Sequence, residues 1–89
     1  MPELSRFHGI VIRMFAEAGE GHHIPHFHAY YQGHAAVFAF DPVACIGGSL
    51  PARQAMLVTT WAGVRRAELH EAWSRLEEGR APNSIVPLR

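Results

Sequence analysis

"PHFHAYYQGHAAVFAF", residues 25–40, decides how this chain folds. Two aromatic and apolar runs flank Gln32-Gly33, and a two-residue connection ending in Gly suits a type I′ hairpin, because both turn residues need positive φ. With the turn there, Tyr31 faces His34, Tyr30 faces Ala35, Ala29 faces Ala36, His28 faces Val37 and Phe27 faces Phe38. The period of two along each strand then sorts the side chains onto two faces. One face holds Phe27, Ala29, Tyr31, Ala36, Phe38 and Phe40 and reads as core. The other holds His26, His28, Tyr30, Ala35, Val37 and Ala39, so His26 and His28 share a face with their rings able to reach one atom or one ligand.

Upstream, "GIVIRMF" (9–15) is β-branched and apolar and reads as a strand, and the glycines of "AEAGEG" read as a loop. Downstream, Asp41-Pro42 ends the second hairpin arm and "VACIGGS" predicts one more short strand. From "SLPARQ" onward the pattern turns helical. Ser49 or Leu50 is the expected cap, Pro51 fits the first turn, and Val58, Trp61, Ala62, Arg65, Leu69, Trp73 and Leu76 recur at spacings of three and four. Glu68, Glu71 and Arg75 fall on the other face. Gly63 bends or divides the helix, Gly79 closes it, and "SIVPLR" is expected as a short edge strand or a docked tail. The expectation is an α+β fold in one domain, residues 1–89: a meander of about four antiparallel strands packed against one long or broken C-terminal helix.

Size and charge bound the function. Eighty-nine residues with 48% hydrophobic content suffice for one compact core. Eight Arg balance eight acidic residues, so no basic field indicates nucleic acid, and the absence of Lys fits Arg-rich codon usage as well as it fits bidentate contacts. Cys45 is the single cysteine, which excludes an intrachain disulfide and a thiolate zinc cluster, and its apolar setting predicts a buried, inert thiol. No apolar run reaches signal-peptide or membrane-spanning length, so a cytoplasmic protein without membrane association is expected.

The chemistry-bearing residues crowd into "HHIPHFH", residues 22–28. Neutral imidazole is the commonest metal ligand, and His26 and His28 on one strand face with His22 or His23 from the preceding loop make a three-ligand set for a divalent metal, zinc first, with water in the fourth place. A second reading needs no metal: His26 and His28 act as an acid/base pair with Arg13 and Tyr30 nearby, a minimal kit for hydrolysis of RNA or another phosphodiester. A third is that the histidines simply tolerate the surface. Trp61 and Trp73, at helical spacing beside Leu69 and Leu76, read as core rather than as a stacking platform. His8 and His70 stand alone and read as satisfied or exposed.

With "SRFHGIVIRMF", "HHIPHFHAYY" and the Trp-bearing helix in order, the chain resembles the bacterial domain-of-unknown-function family numbered 4160 over nearly its whole length. Pro25, His26, Phe27, His28 and Ala29 match the family's motif, whereas His23 and Ile24 stand where members usually carry Asn and Pro. Tyr30, Ala35 and Ala39 replace positions that are often charged, which leaves the outer hairpin face unusually apolar. The resemblance implies a small α+β domain and brings no established activity. Genes of this family often lie beside those of a family numbered 2442, which implies a toxin–antitoxin-like or regulatory pair with an adjacent gene's product as partner. A homo-oligomer stays open beside it. A binding module of that kind, with a histidine-rich surface, is the first functional expectation, and a small metal-independent hydrolase or ribonuclease the alternative.

Overall fold

The computed structural model describes residues 3–15 and 24–89. Five strands, β1 (Glu3–Phe7), β2 (Ile10–Arg13), β3 (His26–Tyr31), β4 (His34–Phe40) and β5 (Val43–Gly48), form one antiparallel sheet in sequence order, followed by helices α1 (Ala52–Val64) and α2 (Arg66–Glu77). The fold class is α+β as expected, with one strand more than the sequence suggested and the C-terminal helix broken into two.

The central hairpin forms in the expected register: all five expected pairs from Tyr31↔His34 to Phe27↔Phe38 are present, and His26↔Ala39 extends them. Gln32 and Gly33 sit at φ 44° and 84°, the backbone a type I′ turn requires. The additional strand, β1, is joined to β2 by His8-Gly9, which repeats the same device at φ 51° and 79°. A register shift between Glu3 and Ser5 leaves Leu4 and Ser5 both buried on successive positions. That bulge breaks the alternation by which a strand is recognised, so "ELSRF" does not read as one.

One sheet face carries the core. Ile10 and Ile12 of β2, Phe27 and Ala29 of β3, and Phe38 and Phe40 of β4 are buried against Val58, Trp61, Ala62, Leu69 and Ala72 of the helices. Phe27 stacks on Phe38 at 5.6 Å, and Trp61 meets Phe27 edge-on at 5.6 Å and Phe7 at 5.4 Å. Emptying a fully buried aromatic site of this kind costs on the order of 3–5 kcal/mol, a large share of what holds an 89-residue domain together.

The helix divides at Arg65 rather than at Gly63. Arg65 leaves helical geometry at φ −102°, ψ 23°, while its N–H donates to the Trp61 carbonyl and its carbonyl accepts from Leu69 N–H, so the two helices stay in register across the break. Pro51, not Ser49 or Leu50, is the N-cap residue, with no side-chain cap. Gly79, at φ 77°, ends α2: its N–H reaches the Leu76 carbonyl and Arg80 N–H reaches Arg75, a Schellman closure. The tail then docks on the free side of β1, where Ile85 N–H donates to the Leu4 carbonyl at 2.7 Å and Trp61 Nε1–H to the Val86 carbonyl at 2.8 Å. No helix among the described residues is long and apolar enough to cross a membrane.

Cys45 departs from expectation. It lies exposed on β5, an outermost strand, with its S–H pointed at the Gly47 carbonyl at 3.4 Å. Every residue of β5 is exposed or half-buried, so an apolar sequence context does not by itself put Cys45 in the core.

Candidate functional site

β3 is the middle strand of the sheet, and alternation along it sends Phe27 and Ala29 into the core and His26, His28 and Tyr30 to the opposite face. Flanking strands add to that face in register. Arg13 of β2 lies opposite His28 and Val11 opposite Tyr30, while β4 contributes Ala39, Val37 and Ala35. The four residues of the metal-free reading, Arg13, His26, His28 and Tyr30, therefore share one surface, each half-buried.

Their rings form a continuous row. His26 and His28 are 5.4 Å apart at 63°, and His28 and Tyr30 are 6.4 Å apart and nearly parallel at 12°. Two residues that were not assigned to the site join it. Phe15, just past β2, meets His28 edge-on at 4.7 Å, and Trp73 of α2 lies 5.3 Å from His26. Trp73 is buried, as a core residue should be, yet it also abuts the histidine row. Helical spacing identifies a buried face without showing that the helix reaches past the sheet's end to the first residue of β3.

The His26 ring is oriented by its own strand entrance. Its Nδ1 lies 2.7 Å from the Ile24 carbonyl oxygen, an acceptor that calls for a proton on Nδ1. In the neutral ring the lone pair is then on Nε2, the tautomer that a backbone carbonyl selects in many imidazole metal ligands. His22 and His23 lie outside the described residues. Among the described residues no three His, Cys, Asp or Glu side chains gather as a metal-binding group.

Further along this face, Arg6 opposes Val11 and Glu3 opposes Arg13. Arg6 Nη2 meets Glu3 Oε1 at 2.9 Å, and that hydrogen bond, helped by the charges of Arg6 and Arg13, holds the Glu3 carboxyl below its ordinary value. The other assigned charges sit elsewhere. His70, read as a lone residue, places Nε2 3.2 Å from Asp41 Oδ2 and packs its ring edge-on against Phe40. A cleft of about 150 Å³ between α2 and the tail is lined by Glu68, Glu71, Arg75 and Asn83 among others, and includes none of the histidine-face residues. It is smaller than a pocket for a drug-sized ligand.

The motif-bearing strands and the Trp-bearing helix fall within residues 9–74, which match the model of the family described as Domain of unknown function (DUF4160). The chain belongs to that family. The match takes in β2 through most of α2, including Arg13, His26, His28 and Tyr30, and leaves out β1 and the docked tail. No curated protein and no solved structure matches the chain.

Proposed function

We propose that this DUF4160 protein is a small cytoplasmic binding module, one component of a toxin–antitoxin-like or regulatory two-protein complex, whose contact surface is the sheet face around His26 and His28. The observation that carries the reading is the row His26, His28 and Tyr30 on the sheet face opposite the aromatic core, bordered by Arg13 and by Val11, Val37 and Ala35, with the ring of the buried Trp73 against His26. Planar rings of low conformational entropy beside an arginine are the side chains that dominate protein interfaces. The test is co-expression with the adjacent gene's product. Co-elution with wild type and its loss with folded His26→Ala/His28→Ala support the reading, and a complex indifferent to the double substitution removes this face as the contact.

The same proposal gives the face a divalent metal, zinc first, held by His26 and His28 with His22 or His23. Two imidazoles on one tetrahedral ion have centroids about 5 Å apart, close to the observed 5.4 Å, and the Ile24 carbonyl favours the His26 tautomer whose lone pair is on Nε2. Calorimetry on untagged protein should find one stoichiometric site that the double substitution abolishes and that weakens as imidazoles protonate below about pH 6.5. Weak or multiple binding refutes it.

A second reading, hydrolysis of a phosphodiester by His26 and His28 as acid and base, is favoured by one observation: Arg13 lies in register with His28, placed to neutralise a phosphate. RNA degradation that survives chelation and disappears in His28→Ala would move the function to this class.

A further inference from the structure

The tail after α2 is held lightly. Of residues 81–89, Ile85 alone is buried, Pro82 and Leu88 are half-buried, and the other six are exposed. Two hydrogen bonds tie this segment to the rest of the described residues, from Ile85 N–H to the Leu4 carbonyl and from Trp61 Nε1–H to the Val86 carbonyl. The seat beneath it is incompletely filled. The cleft of about 150 Å³ lies between Asn83 and Ser84 of the tail and Glu68, Glu71 and Arg75 of α2. Among the described residues, two buried side-chain atoms make no hydrogen bond: Arg75 Nε, 3.5 Å from Glu71 Oε2, and Ser5 Oγ, on the residue after Leu4. Buried polar atoms are ordinarily paired, so the seat of the tail differs from the closed core.

What the tail rests on is complete without it. Gly79 N–H and Arg80 N–H close α2 on the Leu76 and Arg75 carbonyls before the tail begins. β1 is held from its other side, where Ser5, Arg6 and Phe7 pair with Ile12, Val11 and Ile10. The family match runs over residues 9–74, so β1 and the tail both lie outside it. Every residue ordered in the tail loses backbone freedom, and a segment opens locally where few buried side chains and hydrogen bonds offset that loss.

We propose that residues 81–89 are a releasable strap: they leave β1 as one unit while sheet and helices stay folded, and the edge so uncovered takes an extended segment of a partner protein. The tail itself shows what that segment must carry. It needs an N–H for the Leu4 carbonyl, an apolar side chain on the same residue to fill the place of Ile85, and a carbonyl on the next residue for Trp61 Nε1–H. From Ser84 to Leu88 no side chain is charged, so the segment is uncharged there too. The tail is a poor strand for this edge. Along an extended chain the N–H groups that face one side recur at every second residue, and two residues after Ile85 stands Pro87, which has none. A partner segment without that proline continues the ladder where the strap stops, and main-chain bonds of this kind are what give added strands their affinity. The proposal does not rest on the histidine face.

Native-state hydrogen exchange on the full chain tests the strap. The Ile85 amide and the Trp61 indole N–H should show matching protection, unchanged by low urea and about 100-fold or more below that of the β3–β4 amides. Protection equal to that of the β3–β4 amides means that the tail leaves only when the whole fold does, and overturns the strap. The occupant is tested by NMR titration with a synthetic peptide of residues 83–89 carrying Pro87→Val. It should shift the Leu4 and Trp61 resonances saturably, one peptide per chain, and bind more tightly than the same peptide with its proline. The full chain carrying Ile85→Ser should bind it roughly 10-fold or more tightly than wild type, whose own tail competes at high effective concentration. Should that variant fail to fold, the two peptides compared on wild type decide alone. No saturable shift, equal affinity of the two peptides, or equal affinity of wild type and a folded Ile85→Ser variant overturns the edge as the site. A wild type whose 9.9 kDa mass doubles with concentration unless Ile85 is replaced gives the edge to a second copy's tail and overturns the choice of partner.

Discussion

Replacing Gly48 by Ala should destabilise the protein by considerably more than replacing Gly33 by Ala, although both glycines have positive φ, 64° and 84°. At Gly33 nothing lies within 4 Å of an added Cβ, so the cost is only that of left-handed backbone, about 1–2 kcal/mol for a residue with a side chain. At Gly48 the added carbon would run into the Ala35 carbonyl oxygen and approach Ala36 Cα at 3.0 Å. Both obstacles are backbone of β4, which cannot swing aside like a side chain. β5 must therefore move off β4, loosening the 3.1 Å bond from Ser49 N–H to the Ala35 carbonyl and one neighbouring ladder bond, at roughly 0.5–1.5 kcal/mol each. The sum for Gly48→Ala is about 2–5 kcal/mol. Urea unfolding followed by tryptophan fluorescence reads the difference: with a slope near ~1 kcal/mol/M for a domain of this size, its midpoint should fall about 1–3 M below that of Gly33→Ala. Equal midpoints would refute the close approach of β5 to β4 from which the argument starts.

Three other outcomes are expected. Trp73→Ala should cost about 3–5 kcal/mol in urea unfolding and alter the His26 ring resonances by NMR, since Trp73 is both buried and 5.3 Å from His26; unchanged stability would show it dispensable to the core. Trp61→Phe keeps an aromatic in the core but deletes the bond to the Val86 carbonyl, so the Ile85 amide should exchange with solvent markedly faster while the β3–β4 amides do not; equal acceleration everywhere would mean global destabilisation instead. In an NMR titration, Glu3 should protonate below its ordinary value of 4.5, and Arg6→Gln should move that midpoint upward. Because the folded value is the lower one, whatever stability this pair supplies is present above pH 4.5 and is lost as pH falls through the folded midpoint, so acid unfolding of Arg6→Gln should be less steep in that window.

The hairpin was legible because Gln32-Gly33 and the strict alternation on either side of it state one register, and a slip by a single residue would turn Phe27 and Phe38 outward. From that register the common face of His26, His28 and Tyr30 follows. Arg13 was harder: membership of the face depends on how β2 aligns with β3, and the intervening loop gives no such alignment. β1 was missed because its bulge places Leu4 and Ser5 inward together, although His8-Gly9 repeats the turn signature that revealed the central hairpin. Arg65 as the helix break was hidden behind Gly63, which looked the weaker helix former and yet sits inside α1. The exposure of Cys45 follows from β5 as a whole staying exposed or half-buried, a fact of how the helices cover the sheet rather than of composition.

The clasp between β1 and the docked tail has a kinetic consequence. Each strand of the meander pairs with the strand made just before it, three of the four ladders closing over two-residue turns, and such local contacts form early. The bonds from Ile85 to Leu4 and from Trp61 to Val86 are the opposite case, joining the last residues to the first strand and to a helix already in place. During synthesis the free side of β1 stays unsatisfied until residue 86 has emerged, and until then the growing chain is open to strand exchange with its neighbours along that edge.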